Sequence, residues 1–257
     1  MAGEAKTTAL MLGTATVMLG DPVDLFNFAP STHSIGLVKN FNLTVDQSYT
    51  ELTQGVQNQV VFSVKTGNKV MATMEAYEYT GKNLTYALGM EGFSAAAEVT
   101  ASTTVASGAT TTSIPVLSAT GITTGNYIKI QTGTNDQIFV RKVTNVSSNT
   151  LTVAALPSAP AQGATVSKMN VIPLSPTSSC NDTFVAAKIV GTLADCSEVV
   201  ILLPKVKVTK GFNLAFNSND FQNMPLELTV YDLLSSDEHY DVFAEFGNTS
   251  SMLLTPK

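Results

Sequence analysis

Apolar and polar residues alternate along much of this chain. Phe41, Leu43 and Val45 are separated by Asn42 and Thr44. A period of two marks a half-buried strand. The polar stretch over residues 47–58, with Gly55 inside it, then reads as a loop. A second strand is predicted over residues 60–65, and Thr66-Gly67-Asn68 reads as a turn. A third strand over 69–79 places Val70, Ala72, Met74, Ala76 and Glu78 on one side. Met71, Thr73, Glu75, Tyr77 and Tyr79 take the other side. Thr80 is a candidate N-cap for a short helix over 82–88, with Gly89 just beyond its end.

The next stretch differs. Of the 74 residues from 94 to 167, 24 are Ser or Thr, a composition expected of a linker. Yet residues 127–130, 137–143 and 150–154 read as short strands between Gly, Asn and Ser turns. That pattern predicts a small β-barrel or sandwich. After it come strands at 184–190, at 198–210 with Pro204 breaking the run, and at 226–230, where Leu226, Leu228 and Val230 alternate. The simplest organisation is one β domain made of residues 1–93 and 169–257, with 94–168 inserted as an accessory β domain. Insertion is tolerated at exposed loops between near neighbours.

Composition narrows the function. Apolar residues make up 44% and charged residues 13%, against about 25% charged in ordinary domains. A folded protein with so few charges suits a surface covered by copies of itself. The net charge of −6 opposes binding to nucleic-acid phosphates. Arg141 is the single arginine, which removes arginine-fork recognition of phosphate. Two histidines (His33, His239) and two cysteines (Cys180, Cys196), scattered along the chain, make a zinc site unexpected. The two cysteines are compatible with a bridge or with free thiols. No apolar run reaches the length of a membrane span. The expectation is a soluble protein made in the cytoplasm, with no metal and no cofactor.

Catalytic motifs are missing from the sequence: no nucleophile elbow, no zinc-protease helix, no phosphate loop. Asp21 with Asp24, and Asp237-Glu238, read as solvated loop carboxylates, and His239 as a histidine in a polar turn. Five Asn-x-Ser/Thr triplets, among them Asn83-Leu84-Thr85, are chance matches in a chain this rich in those residues. The chain is expected not to be an enzyme.

The stretch over 77–89, YEYTGKNLTYALG, ends a long strand, caps with Thr and closes a short helix on Leu-Gly. It resembles the strand-to-helix junction of bacteriophage tail tube (major tail) proteins. Residues 33–66 resemble that family's strand, polar loop and returning strand, and residues 224–232 (MPLELTVYD) its closing strand. The large insert is a departure from the plain family pattern. The resemblance implies a mainly β, tail-tube-like sandwich or barrel that forms stacked, hexameric rings, a negatively charged conduit for DNA ejection in the virion. It implies partners: further copies of the chain, the tape measure protein, and tail tip or terminator proteins. DNA passes without specific binding, and no membrane is involved. On that basis Asp46, Glu75, Glu78 and Glu227 are candidates to face the lumen. Of Glu75 and Glu78, at most one can do so, since one strand puts them on opposite faces. Tyr49, Glu51, Leu52, Gln54, Val56 and Gln57 are candidates for contact between rings. Leu10, Met11, Leu25 and Phe26 belong to a candidate N-terminal arm onto a neighbour. The competing expectations are a capsid decoration protein and a surface-binding adhesin module.

Overall fold

The computed structural model describes residues 11–54, 56–89, 101–131, 137–171, 184–193, 196–214 and 221–255, with backbone alone for 11–14. The protein is mainly β, built from antiparallel sheets, one of them curled into a half-barrel. It divides into two compact units, Met1–Phe93 with Leu174–Lys257, and Ser94–Pro173.

The first unit opens with β1 (Met11–Gly20), a 3-10 turn (Pro22–Asn27) and α1 (Pro30–His33). The long strands β2 (Val38–Gln54) and β3 (Gln59–Ala76) follow, then α2 (Gly81–Ala87). The second unit holds β4 (Ser102–Thr104), β5 (Ser113–Pro115), β6 (Tyr127–Gln131), β7 (Ile138–Ser147), β8 (Thr150–Val153) and β9 (Thr165–Met169). The chain returns to the first unit with β10 (Val185–Leu193), β11 (Glu198–Lys210), β12 (Met224–Val230), α3 (Tyr240–Ala244) and β13 (Met252–Leu254).

In the first unit the strand order is β1-β10-β11-β12-β3-β2, with β13 added beside β11. Consecutive residues in the middle strands are buried on opposite faces. Leu19 and Leu203 join Ile35, Ala72, Met74 and Leu226 in one core, while Met18 and Leu202 join Leu25, Phe28 and Phe243 in another. This explains the unbroken apolar run of residues 199–203: a strand covered on both faces needs no alternation. β12, by contrast, is buried at every second residue from Met224 to Val230 and has one covered face.

Three expectations about strands are corrected. Residues 66–68 are not a turn but part of β3: the register shifts between Ser48 and Tyr49, which leaves Thr66 as an extra, bulged residue opposite β2. Pro204 does not end β11. It falls where the β10–β11 register skips from Leu203 to Val206, so no ladder bond needs its missing N–H. β3 stops at Ala76, so Glu78 is not a strand residue. Beyond the strand, Glu78 Oε1 accepts the Leu37 N–H at 3.1 Å and lies against Gly36, whose φ of +83° suits glycine.

The helix after β3 agrees with its sequence. Thr80 accepts the Asn83 N–H at 3.2 Å as N-cap, and Gly89 has φ +69° just past the end. Asn83 is buried, and its amide donates to the carbonyls of Ile35 and Glu78, each at 2.9 Å. An asparagine spent in this way is no glycan acceptor. The Tyr86 hydroxyl reaches Leu19 O at 3.2 Å, and burial, with Asp21 nearby, pushes its pKa up to about 12.

The second unit closes on itself. Its strand order is β4-β9-β6-β7-β8-β5, and the two outer strands meet at a bridge between Val105 and Val116. Ala106 N–H donates to Pro115 O at 2.7 Å and Leu117 N–H to Thr104 O at 3.0 Å. Ile114, Ile128, Ile130, Val143, Leu151 and Val166 fill its centre with no exposure. The Ser and Thr residues that suggest a linker supply the outward positions and turns of a small barrel.

Candidate assembly surfaces

β2 and β3 pair along their whole length, from Val38–Ala76 to Gln54–Gln59. Only the base of this hairpin is packed. Val38, Val70, Ala72, Met74 and Ala76 are buried, whereas every described residue from 44 to 66 is exposed. Residues 46–54 thus carry the ladder roughly 30 Å past the core at 3.3 Å per residue. The polar loop expected over 47–58 is therefore corrected: it is strand as far as Gln54, with Asn58 in the turn at φ +47°. Asn and Gly at such positions favour tight hairpins.

The six loop candidates all lie on this projection, but not as one surface. Tyr49 and Glu51 alternate with Leu52 and Gln54 and so face opposite ways. Val56 and Gln57 are in the turn, Val56 fully exposed. Leu52 pairs with Phe62 and Thr50 with Val64, which puts Leu52, Phe62 and Val64 on one face. Their exposures are 64%, 63% and 47%. Val60 and Val61 are exposed as well. Phe62 and Val64 are exposed apolar residues on this projection that the sequence presents as ordinary strand. The signal was there in QVVFSV, residues 59–64: apolar residues too consecutive for a strand with one wet face.

The acidic candidates are placed by the same ladder. Asp46, Glu75 and Glu227 lie on the outward face of β2, β3 and β12, opposite in parity to buried Val70, Met74 and Leu228. Each is matched across a strand pair by a lysine: Asp46 by Lys69, Glu75 by Lys39, Glu227 by Lys210. The wall is charge-balanced, where the sequence suggested a negative one. Asn40, Thr73, Glu75, Lys210, Pro225 and Glu227 line a shallow cavity of about 320 Å3 on it. Hydrogen bonds from the Asn40 side chain, then from Asn223 and Tyr77, hold the Glu75 carboxyl below its ordinary range. Lys39 lies 4.8 Å over the Tyr77 ring.

The N-terminal arm is corrected as well. β1 pairs with the protein's own β10, from Met11–Leu193 to Gly20–Ala186. Leu25 is fully buried in its own core and β1 is held in the protein's own sheet, so neither is a free arm. Phe26 is exposed on the turn after β1. Leu10 lies outside the described residues, as does Cys180; Cys196 is exposed at φ +67°.

Among the described residues no three His, Cys, Asp or Glu side chains come together to hold a metal ion. His239 Nε2 faces the carbonyls of Pro22 (3.0 Å) and Val23 (3.2 Å) and is not poised over a nucleophile. Asp237 forms an ion pair with Lys205 at 2.6 Å. Its carboxyl is held below the usual range first by that hydrogen bond and then by the Leu234 N–H. No helix among the described residues is long and apolar enough to cross a membrane. No known protein family matches the chain, and no curated protein matches it either.

Proposed function

We propose that this protein is a structural subunit that polymerises through its β2–β3 hairpin, in the manner of a phage tail tube ring. The observation that carries the reading is the hairpin, a long two-stranded projection exposed on both faces and bearing Leu52, Phe62 and Val64 side by side. A two-stranded ribbon is marginal by itself in water, and an exposed apolar face of this kind marks an interaction site. The outer strands of the sheet are β1 and β2. β1 is bridged to the segment before β2 through Met18–Ser34 and the Ile35 N–H on Val17 O at 3.1 Å. That leaves the projecting part of β2 as the edge that can pair with another chain. A projection that docks elsewhere on the next copy is a heterologous contact, which gives rings when it closes and stacks when it repeats.

Six-fold rings, a DNA conduit and a place in the virion with tape measure and tail tip partners are carried into this reading by the resemblance of residues 33–66, 77–89 and 224–232. The balanced wall of Asp46–Lys69, Glu75–Lys39 and Glu227–Lys210 would present DNA with little net attraction. The test is negative-stain electron microscopy and sedimentation of the wild-type protein beside a Leu52→Ser/Phe62→Ser variant. Rings or tubes from wild type and a monomer from the variant, with equal melting temperatures, are expected. Wild-type protein that stays monomeric at high concentration, alone and with tail tip components added, would overturn the reading.

A further inference from the structure

A second exposed apolar surface lies away from the hairpin, where the 3-10 turn meets α3. Val23 and Phe26 come from the turn. Val242 lies in α3, and Phe246 lies just past its C-cap in a turn closed by the Phe246 N–H on Phe243 O at 3.2 Å. Their exposures are 54%, 43%, 40% and 69%. The surface is held in shape from beneath. His239, at φ +63°, joins the two elements by bringing Nε2 to the carbonyls of Pro22 and Val23. Its ring meets Phe26 edge-on at 4.8 Å, and fully buried Phe243 lies 6.5 Å from Phe26. Fixed backbone and rings mean that little order has to be gained when something binds.

The unengaged charges on these two elements are acidic: Lys188 is spent on Phe28 O at 3.4 Å, and Lys205 is paired with Asp237 at 2.6 Å. Asp21 and Asp24 belong to the turn, Glu238, Asp241 and Glu245 flank or belong to α3, and residues 21–27 and 238–246 contain no Lys or Arg. We propose that the corner docks a basic amphipathic segment of a partner protein, with apolar side chains on Phe26, Val242 and Phe246 and Lys or Arg on the carboxylates. Charge complementarity selects this occupant. Nucleic acid and anionic lipid would meet like charge here. The hairpin of a second copy is a poor match, because between residues 49 and 65 it carries only Glu51 and Lys65 as charges. The proposal stands whether or not the hairpin drives self-assembly.

The probe is a fluorescent 14-residue amphipathic helix made of Leu and Lys, with a Glu-for-Lys version as control, titrated by anisotropy into the full chain. Val242→Ser/Phe246→Ser and Asp241→Lys/Glu245→Lys should each weaken the Lys peptide by about tenfold or more, as loss of a central anchor or of its charged rim does. The Glu peptide should bind no better than to the charge-reversed protein, and added salt should weaken the Lys peptide. All these substitutions are on exposed side chains, and unchanged circular dichroism checks the fold. Peptide affinity that ignores both double variants overturns the proposal. So does loss of self-association in Val242→Ser/Phe246→Ser with peptide binding intact, which would make the corner a contact between copies. Tighter peptide binding after removal of residues 1–10 would give the corner to the chain's own N-terminus, and overturn it too.

Discussion

The two units solve the same problem in opposite ways. Each is an antiparallel sheet around an aliphatic core. The insert, though, brings its outer strands together at Val105–Val116. The larger unit has a bridge too, from Met18 of β1 to Ser34 ahead of β2, but it sends the β2–β3 hairpin past its core. A closed barrel has no edge to offer, whereas an apolar two-stranded projection invites another chain. In the reading proposed above, assembly therefore belongs to the larger unit. The Leu52→Ser/Phe62→Ser variant tests this division most severely. It should abolish assembly while leaving both units folded, since both side chains are exposed in the monomer.

Core truncations come next in size. Leu228 and Leu151 are fully buried, one in each unit. Leucine to alanine at such a site costs about 2–5 kcal/mol, through lost transfer energy and the cavity left behind. Leu151→Ala should lower the melting transition of the insert and leave assembly intact. Leu228→Ala, next to β3 at Ala72, should lower the larger unit's transition and reduce assembly with it. Calorimetry and sedimentation of both variants distinguish the outcomes. If Leu151→Ala disrupts assembly as much as Leu228→Ala, the insert takes part in it and the contrast between the units fails.

Asn83→Ala sharpens the contrast within the larger unit. The amide ties α2 to the loops before β2 and after β3 through Ile35 O and Glu78 O, and so braces the base of the hairpin. Removing it leaves two buried acceptors, a loss of about 1–3 kcal/mol. Denaturant melts should register that loss, while the insert's transition should not move.

The legible parts of the chain were those where one face is wet and the other dry. β3 from Val70 to Ala76 and β12 from Met224 to Val230 bury every second residue, and the sequence displays that period. The distal hairpin has both faces wet, so its first limb, residues 47–54, carries no burial pattern and reads as a loop, whereas residues 60–65 of the returning limb read as strand. Its pairing is a property of two segments together, as are the lysines opposite Asp46, Glu75 and Glu227, and no local pattern reports register. The corner at α3 was obscured for another reason. Its carboxylates dominate the reading of residues 235–241, while Val242, Phe243 and Phe246 follow in a helix too short for a clear 3.6-residue period.

The smallest effect compares two opposite-charge pairs. Lys205 and Asp237 close to 2.6 Å on the packed side of the larger unit, with Lys205 also 4.9 Å over the Phe184 ring. Asp46 and Lys69 are ladder partners on the exposed hairpin. The first pair holds the Asp237 carboxyl below its ordinary value. A carboxyl whose pKa is lower folded than unfolded gives stability that is complete above the unfolded value, near 3.9, and is lost as pH falls through the folded one. Asp237→Asn should therefore cost up to about 1 kcal/mol at neutral pH, the range of partly exposed pairs. Its deficit against wild type should shrink as the pH falls below about 4, once the wild-type carboxyl takes up its proton. Asp46→Asn, on a pair exposed along the hairpin, should cost less at neutral pH. Urea melts between pH 6 and 3 compare wild type with Asp237→Asn, and a deficit that stays constant over that range would mean that the packed pair does not hold its carboxyl down.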